Sequence, residues 1–139
     1  MVGSVVLDNS VIIPLVASDE DSAYSERVFR SAQKGTRLIA PALCMFEFGN
    51  AVLTCVRRER MTPAEAWSAH ERMEELPIEF GGGLSFKELS AIHALALTTD
   101  LSFYDAAYLM LAMMKFARLA TLDRKLRAAA LGQGVEIFE

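Results

Sequence analysis

The stretch that most constrains this chain is Val5-Val6-Leu7 running directly into Asp8-Asn9-Ser10. Three consecutive apolar residues, two of them β-branched, predict a short strand buried on both faces, as in a parallel sheet. Asp8-Asn9-Ser10 then supplies N-cap chemistry for a following helix. An open α/β sheet holds its ligand crevice at the carboxyl ends of its strands, so Asp8 is expected at the mouth of that crevice. A lone acid there is adequately explained as a helix cap. The same grammar returns, however, in Leu119-Ala120-Thr121-Leu122-Asp123-Arg124-Lys125-Leu126, and two such acids point to a site rather than to capping alone.

Between these stretches strands and helices alternate. Ser10 to about Ala17 is predicted as a short helix, with Pro14 accommodated only near its first turn. Asp19-Glu20-Asp21-Ser22 leads into a second helix that ends near Lys34, with Gly35 as its stop. Leu38-Ile39-Ala40 is a short strand. Pro41 then opens a helix over about Ala42 to Arg58, with Leu43, Phe46, Val52, Leu53 and Val56 as its core contacts. Thr62-Pro63-Ala64-Glu65 is a capping box whose helix runs to about Glu75 before Pro77. Ile78-Glu79-Phe80 is a third strand. The Gly81-Gly82-Gly83 run after it lacks the spacing of a phosphate-binding loop and reads as a connection. Ser85 caps a helix to about Thr98, and Ser102 caps a Leu- and Met-rich helix to about Lys115. Arg118 to Leu122 is the fourth strand, Asp123 to Ala130 a short helix, and Val135 to Phe138 a closing strand. The alternation predicts an α/β fold, a single domain over residues 1–139 with a central parallel β-sheet flanked by helices on both faces.

The 139 residues suffice for one core. Residues of apolar type make up 53%, above the usual ~45–50%, yet no run approaches the ~18–20 residues that cross a bilayer. A soluble, cytoplasmic protein without membrane association is expected. The apolar excess favours a homodimer or a protein partner, an unusually large core being the alternative; the helix from Phe103 to Phe116 is the first place to look for the interface. A net charge of −4 argues against gripping nucleic acid through overall charge. Arg57, Arg58 and Arg60 form a local basic cluster, equally well explained as a solvated face. Cys44 and Cys55 fall in one predicted helix at ~16 Å separation, too far for a disulfide, and no Cys/His spacing suggests zinc.

Four acids stand where this fold could gather them: Asp8 and Asp123 after buried strands, Asp105 in the first turn of the Ser102 helix, and Glu47 in the helix after the second strand. Capping accounts for three. Glu47, set among Leu43, Cys44, Met45, Phe46 and Phe48, has no such explanation, since an unpaired buried polar group costs roughly 2–7 kcal/mol. Val6-Leu7-Asp8-Asn9-Ser10-Val11, Pro41-Ala42-Leu43 leading to Glu47-Phe48-Gly49-Asn50, Leu101-Ser102-Phe103-Tyr104-Asp105-Ala106-Ala107-Tyr108 and Ala120-Thr121-Leu122-Asp123-Arg124 together resemble the PIN domain, and within it the VapC-type ribonuclease toxins of toxin–antitoxin pairs. The likeness covers essentially the whole chain, with the motifs in the family's order.

The resemblance implies a PIN-like fold and an acidic site for Mg²⁺ or Mn²⁺, with Asp8, Glu47, Asp105 and Asp123 as metal-binding and catalytic residues and Ser10, Asn50 and Thr121 in support. It also implies an RNA substrate, endoribonuclease activity and a small antitoxin protein as partner. Gathered carboxylates repel one another until a proton or a divalent cation relieves them, and oxygen donors suit Mg²⁺ or Mn²⁺. Glu47 and Asn50, three apart, share a helical face. A metal-free ribonuclease needs general acid and base groups, typically histidine, whereas His70 and His93 fall within helices away from strand ends. Attack by water leaves 5′-phosphate and 3′-hydroxyl ends and ignores the 2′-hydroxyl, so RNA as substrate rests on the resemblance. Two other readings use the same acids. A haloacid-dehalogenase-type phosphatase needs a second acid two residues after the first, where Ser10 stands. A PIN-like binding module would use the pocket only to receive a partner's arginine.

Overall fold

The computed structural model describes residues 3–17, 22–81 and 84–139. Among them the strands are β1 (Ser4–Leu7), β2 (Arg37–Ala40), β3 (Ile78–Phe80) and β4 (Arg118–Ala120). The helices are α1 (Asn9–Val16), α2 (Ala23–Gln33), α3 (Leu43–Arg57), α4 (Pro63–Glu75), α5 (Phe86–Thr99), α6 (Phe103–Lys115) and α7 (Arg124–Gly132). The sheet is parallel throughout, in the order β3-β2-β1-β4, with Val6 of β1 beside Ile39 on one side and Leu119 on the other. Val5, Val6 and Leu7 are all fully buried. Successive strand residues point to opposite faces, so both faces of the central strand are covered, as the unbroken apolar run predicts.

The topology fixes where a site can form. From β1 the chain builds outward through β2 to β3, then returns to lay β4 on the other side of β1. The strand order therefore reverses between β1 and β4, the point at which sheets of this kind place a ligand site. Asp8 follows β1 and Thr121 follows β4 directly. Helix α6 packs against β1 and α5. Ala106, Ala107 and Ala112 let it approach closely, and they are buried with Tyr108 and Leu109.

Several sequence expectations shift. Pro14 lies beyond the first turn of α1; its missing N–H removes one helical bond, and the burial of Val11, Ile12 and Val16 holds the helix in place. The buried face of α3 runs through Cys44, Phe48 and Val52 rather than through Phe46 and Leu53, which are 80% and 43% exposed. The closing strand shrinks to one parallel bridge, Leu119 to Ile137, and the tail is held by Tyr24, whose hydroxyl donates to the Phe138 carbonyl at 2.6 Å. Much of the apolar excess of α6 is core, although Tyr104, Met114 and Phe116 remain exposed. The capping box at Thr62 forms in both directions, each bond 3.1 Å. Asp19–Asp21 and Gly82–Gly83, read as a helix lead-in and part of a connection, lie outside the described residues. No helix among the described residues is long and apolar enough to cross a membrane. Cys44 and Cys55 are free thiols.

Candidate active site

Asp8 leaves β1 in extended conformation and caps α1. Its Oδ1 accepts from the Ser10 N–H at 3.1 Å and from the Ser10 hydroxyl, and its Oδ2 accepts from the Thr121 hydroxyl at 2.6 Å. The two hydroxyl oxygens lie 3.3 Å apart. Leu122 N–H donates to Ser10 Oγ at 2.8 Å, and Asp123 N–H donates to Thr121 Oγ1 at 3.0 Å. Ser10 and Thr121 thus stitch the end of β1 to the end of β4 and fix the Asp8 carboxylate between them. Asp123 caps α7, accepting from Leu126 N–H at 2.9 Å. Asp105 sits in the first turn of α6, its N–H donating to Ser102 Oγ at 3.0 Å. Capping leaves both acids at the strand ends, so a cap at Asp8 or Asp123 does not exclude a further role there.

The electrostatics follow from this crowding. Burial, at 8% exposure, pushes the Asp8 carboxyl above its ordinary 3.8, and the nearby Asp105 charge pushes the same way against the bonds from Ser10 and Thr121. Burial likewise raises Asp105, with the Asp123 charge adding to it. Among the described residues the ion pairs are Arg37–Glu79 and Lys125–Asp100, so none of Asp8, Glu47, Asp105 or Asp123 has a Lys or Arg partner within ion-pair distance. Among the described residues no cation pairs with these acids directly, and Lys125 draws the Asp105 carboxyl down against the effect of burial.

Glu47 is half-buried rather than enclosed by apolar side chains, because Met45 and Phe46 face outward. Its Oε1 accepts a 2.6 Å bond from the hydroxyl of Tyr108. Tyr108 is 1% exposed, and burial holds its phenol far above the usual range, so it stays protonated and donates. Cys44, one turn before Glu47, is fully buried and its thiol is pushed up to about 12 by burial. Asn9 Nδ2 donates to the Cys44 carbonyl at 3.1 Å, and Cys44 Sγ donates to Asn9 Oδ1 at 3.5 Å. Asn50 is exposed on α3 and makes no bond into this network among the described residues. His70 and His93 are exposed on α4 and α5, as their sequence positions suggest. Tyr108 and the Asn9–Cys44 pair are the polar partners that sequence reading passed over. The available signal was a hydroxyl three residues after Asp105 in an otherwise apolar stripe.

The donors here, carboxylates and hydroxyls, are hard oxygens suited to Mg²⁺ or Mn²⁺. Among the described residues no three acidic, His or Cys side chains close into a ready cage. An open set of this kind matches Mg²⁺, which keeps several waters and binds through one or two carboxylates together with substrate phosphate. The donor set therefore fits a divalent cation.

A parallel sheet with an acidic site at its switch point defines a class. The PIN domain model matches residues 5–131, and the chain belongs to the PIN-domain family. By sequence it is similar to ribonuclease VapC3 of Pyrobaculum aerophilum, 32% identical over 121 residues that cover 87% of this chain and 90% of that protein. In fold it is similar to the crystal structure of PAE2754 from Pyrobaculum aerophilum, with a TM-score of 0.69 at 21% identity over 94% of this chain and 81% of that one. The crystal structure of FitAcB from Neisseria gonorrhoeae gives a TM-score of 0.67 at 17% identity, covering 97% and 96%.

Proposed function

We propose that this chain is a metal-dependent endoribonuclease of the VapC type, the toxin of a toxin–antitoxin pair. The observation that carries the reading is the gathering of Asp8, Asp105 and Asp123 near the ends of β1 and β4 with no ion-pair partner among the described residues, on a chain similar to a ribonuclease along most of its length. Asp8, Asp105, Asp123 and Glu47 would hold Mg²⁺ or Mn²⁺. When bound, the cation supplies Lewis-acid stabilisation of charge on the scissile phosphate and lowers the pKa of a water.

The chain's own residues do the positioning. Ser10 and Thr121 lock the Asp8 rotamer while Oδ2, accepting one bond, keeps a lone pair for a cation. Glu47 Oε2 carries no bond from the described residues, so it is the oxygen available to the cation or to a proton of the attacking water. Asn50, one turn after Glu47 on the same helix and exposed, would reach the site only through substrate or water. Hydrolysis by water breaks the P–O3′ bond and leaves 5′-phosphate and 3′-hydroxyl ends.

Cleavage by the purified protein is expected to need Mg²⁺ or Mn²⁺ and to stop with EDTA. Mn²⁺ is expected to raise the melting temperature as it saturates, since a ligand of the folded state alone stabilises it by ~2.7 kcal/mol at a hundredfold excess over its Kd. Metal binding without cleavage of any RNA would favour a binding module instead.

Two associations complete the proposal. The acidic cluster suits the arginine fork of a small antitoxin, which satisfies carboxylates bidentately. Self-association is supported by large apolar side chains left in water, among them Phe116 at 97%, Phe86 at 88% and Trp67 at 70% exposure. Light scattering at micromolar concentration is expected to give a dimer mass, and a monomer mass would contradict it.

A further inference from the structure

We propose that Tyr108 is a positioning residue for Glu47, and that together with the Asn9–Cys44 pair it fixes where the α3 acid stands relative to Asp8 and Asp105. The inference rests on the nuclease reading above. Helix α3 begins at Ala42 without a side-chain cap, so no capping bond sets its placement. Three cross-bonds at two residues, Cys44 and Glu47, supply that constraint instead; the two are three apart and therefore on one face of the helix.

On one side Cys44 is bonded twice to Asn9, the residue that follows Asp8. On the other, Glu47 is bonded to Tyr108, which stands one turn after Asp105 on α6. Each of the two residues thus ties α3 to a neighbour of a different acid of the cluster. A phenylalanine would fill the ring space of Tyr108, which is buried in the core; what the hydroxyl adds is the hydrogen bond to Glu47 and a polar contact with the Cys44 thiol. Among the described residues it is the sole donor to that carboxylate. A carboxylate held this way loses less freedom on meeting a cation, and outer partners of this kind typically change metal affinity or activity by about 10–100-fold.

The test is a double-mutant cycle read by Mn²⁺ titration calorimetry. Tyr108→Phe is expected to weaken Mn²⁺ binding about 10-fold or more and to lower kcat while leaving KM for RNA unchanged. In a Glu47→Ala background the same substitution is expected to change Mn²⁺ affinity less than about twofold, because the acceptor it acts through is already gone. A merely structural role would instead weaken binding equally in both backgrounds. Unchanged Mn²⁺ affinity in Tyr108→Phe, or an equal loss in both backgrounds, overturns the inference. Should Tyr108→Phe not fold, Asn9→Ala opens the other half of the clamp; it too must weaken Mn²⁺ binding with KM unchanged, and wild-type affinity overturns the proposal. A wild type that binds Mn²⁺ but cuts no RNA would defeat the nuclease reading while leaving this cycle readable.

Discussion

Asp8→Asn is expected to reduce RNA cleavage by at least ~10²–10³-fold, the scale of losing one preorganised electrostatic contact in an active site. The substitution removes a charge and hardly any volume. Its fold should survive, since the Ser10 and Thr121 hydroxyls can turn to bond an amide as readily as a carboxylate. The metal-free stability provides an internal control. Asp8 has a folded pKa raised above its ordinary 3.8, chiefly by burial, so over the window from 3.8 up to that raised value the folded state holds the proton more tightly than the unfolded one. Stability of the metal-free protein is therefore greatest below this window and declines as pH climbs through it. Asp105 shifts in the same direction. At neutral pH metal-free Asp8→Asn is thus expected to melt no lower than wild type, with the difference shrinking as pH falls towards the carboxylate range. Full cleavage by pure Asp8→Asn would remove Asp8 from the site, and a large fall in melting temperature would make it structural.

Expression of the wild-type chain alone is expected to arrest growth of a bacterial host, and co-expression with a neighbouring small gene is expected to restore it. Asp8→Asn should be harmless yet still capture the partner, because Glu47, Asp105 and Asp123 remain to receive an arginine. Truncating one half of a buried, hydrogen-bonded charge pair across an interface typically costs 2–5 kcal/mol or more. Replacing the inserted arginine of the partner with alanine should therefore raise Kd by at least about tenfold and release the nuclease. A harmless wild type that co-purifies with no inhibitor from its native locus would defeat the toxin reading while leaving the nuclease open.

The site was legible to unequal degrees. Asp8, Asp105 and Asp123 are tied to element boundaries, a strand end or a helix first turn, and such boundaries are marked by local residue chemistry. Ser10 and Thr121 follow because they flank those same ends. Tyr108 is different in kind. Its hydroxyl matters through a partner 61 residues away, and nothing near it in sequence signals that Glu47 stands opposite. The buried face of α3 is legible only in part, for a related reason: Leu43, Val52 and Val56 pack on the core as expected, whereas Phe46 and Leu53 do not. Leu43, Cys44, Met45, Phe46 and Phe48 place apolar groups all round the helix, so periodicity cannot choose the buried face; packing against the rest of the fold selects Cys44, Phe48 and Val52. The closing strand failed at the level of pairing: Val135 to Phe138 has strand-forming residues, but beside β4 it forms one bridge.

Hydrolysis by metal-activated water at the Asp8 site is tested by mapping the ends of RNA cut by the purified protein, with Mn²⁺ and with EDTA. The expected result is 5′-phosphate and 3′-hydroxyl ends that form only with Mn²⁺. Ends carrying 2′,3′-cyclic phosphate, formed equally in EDTA, would contradict it.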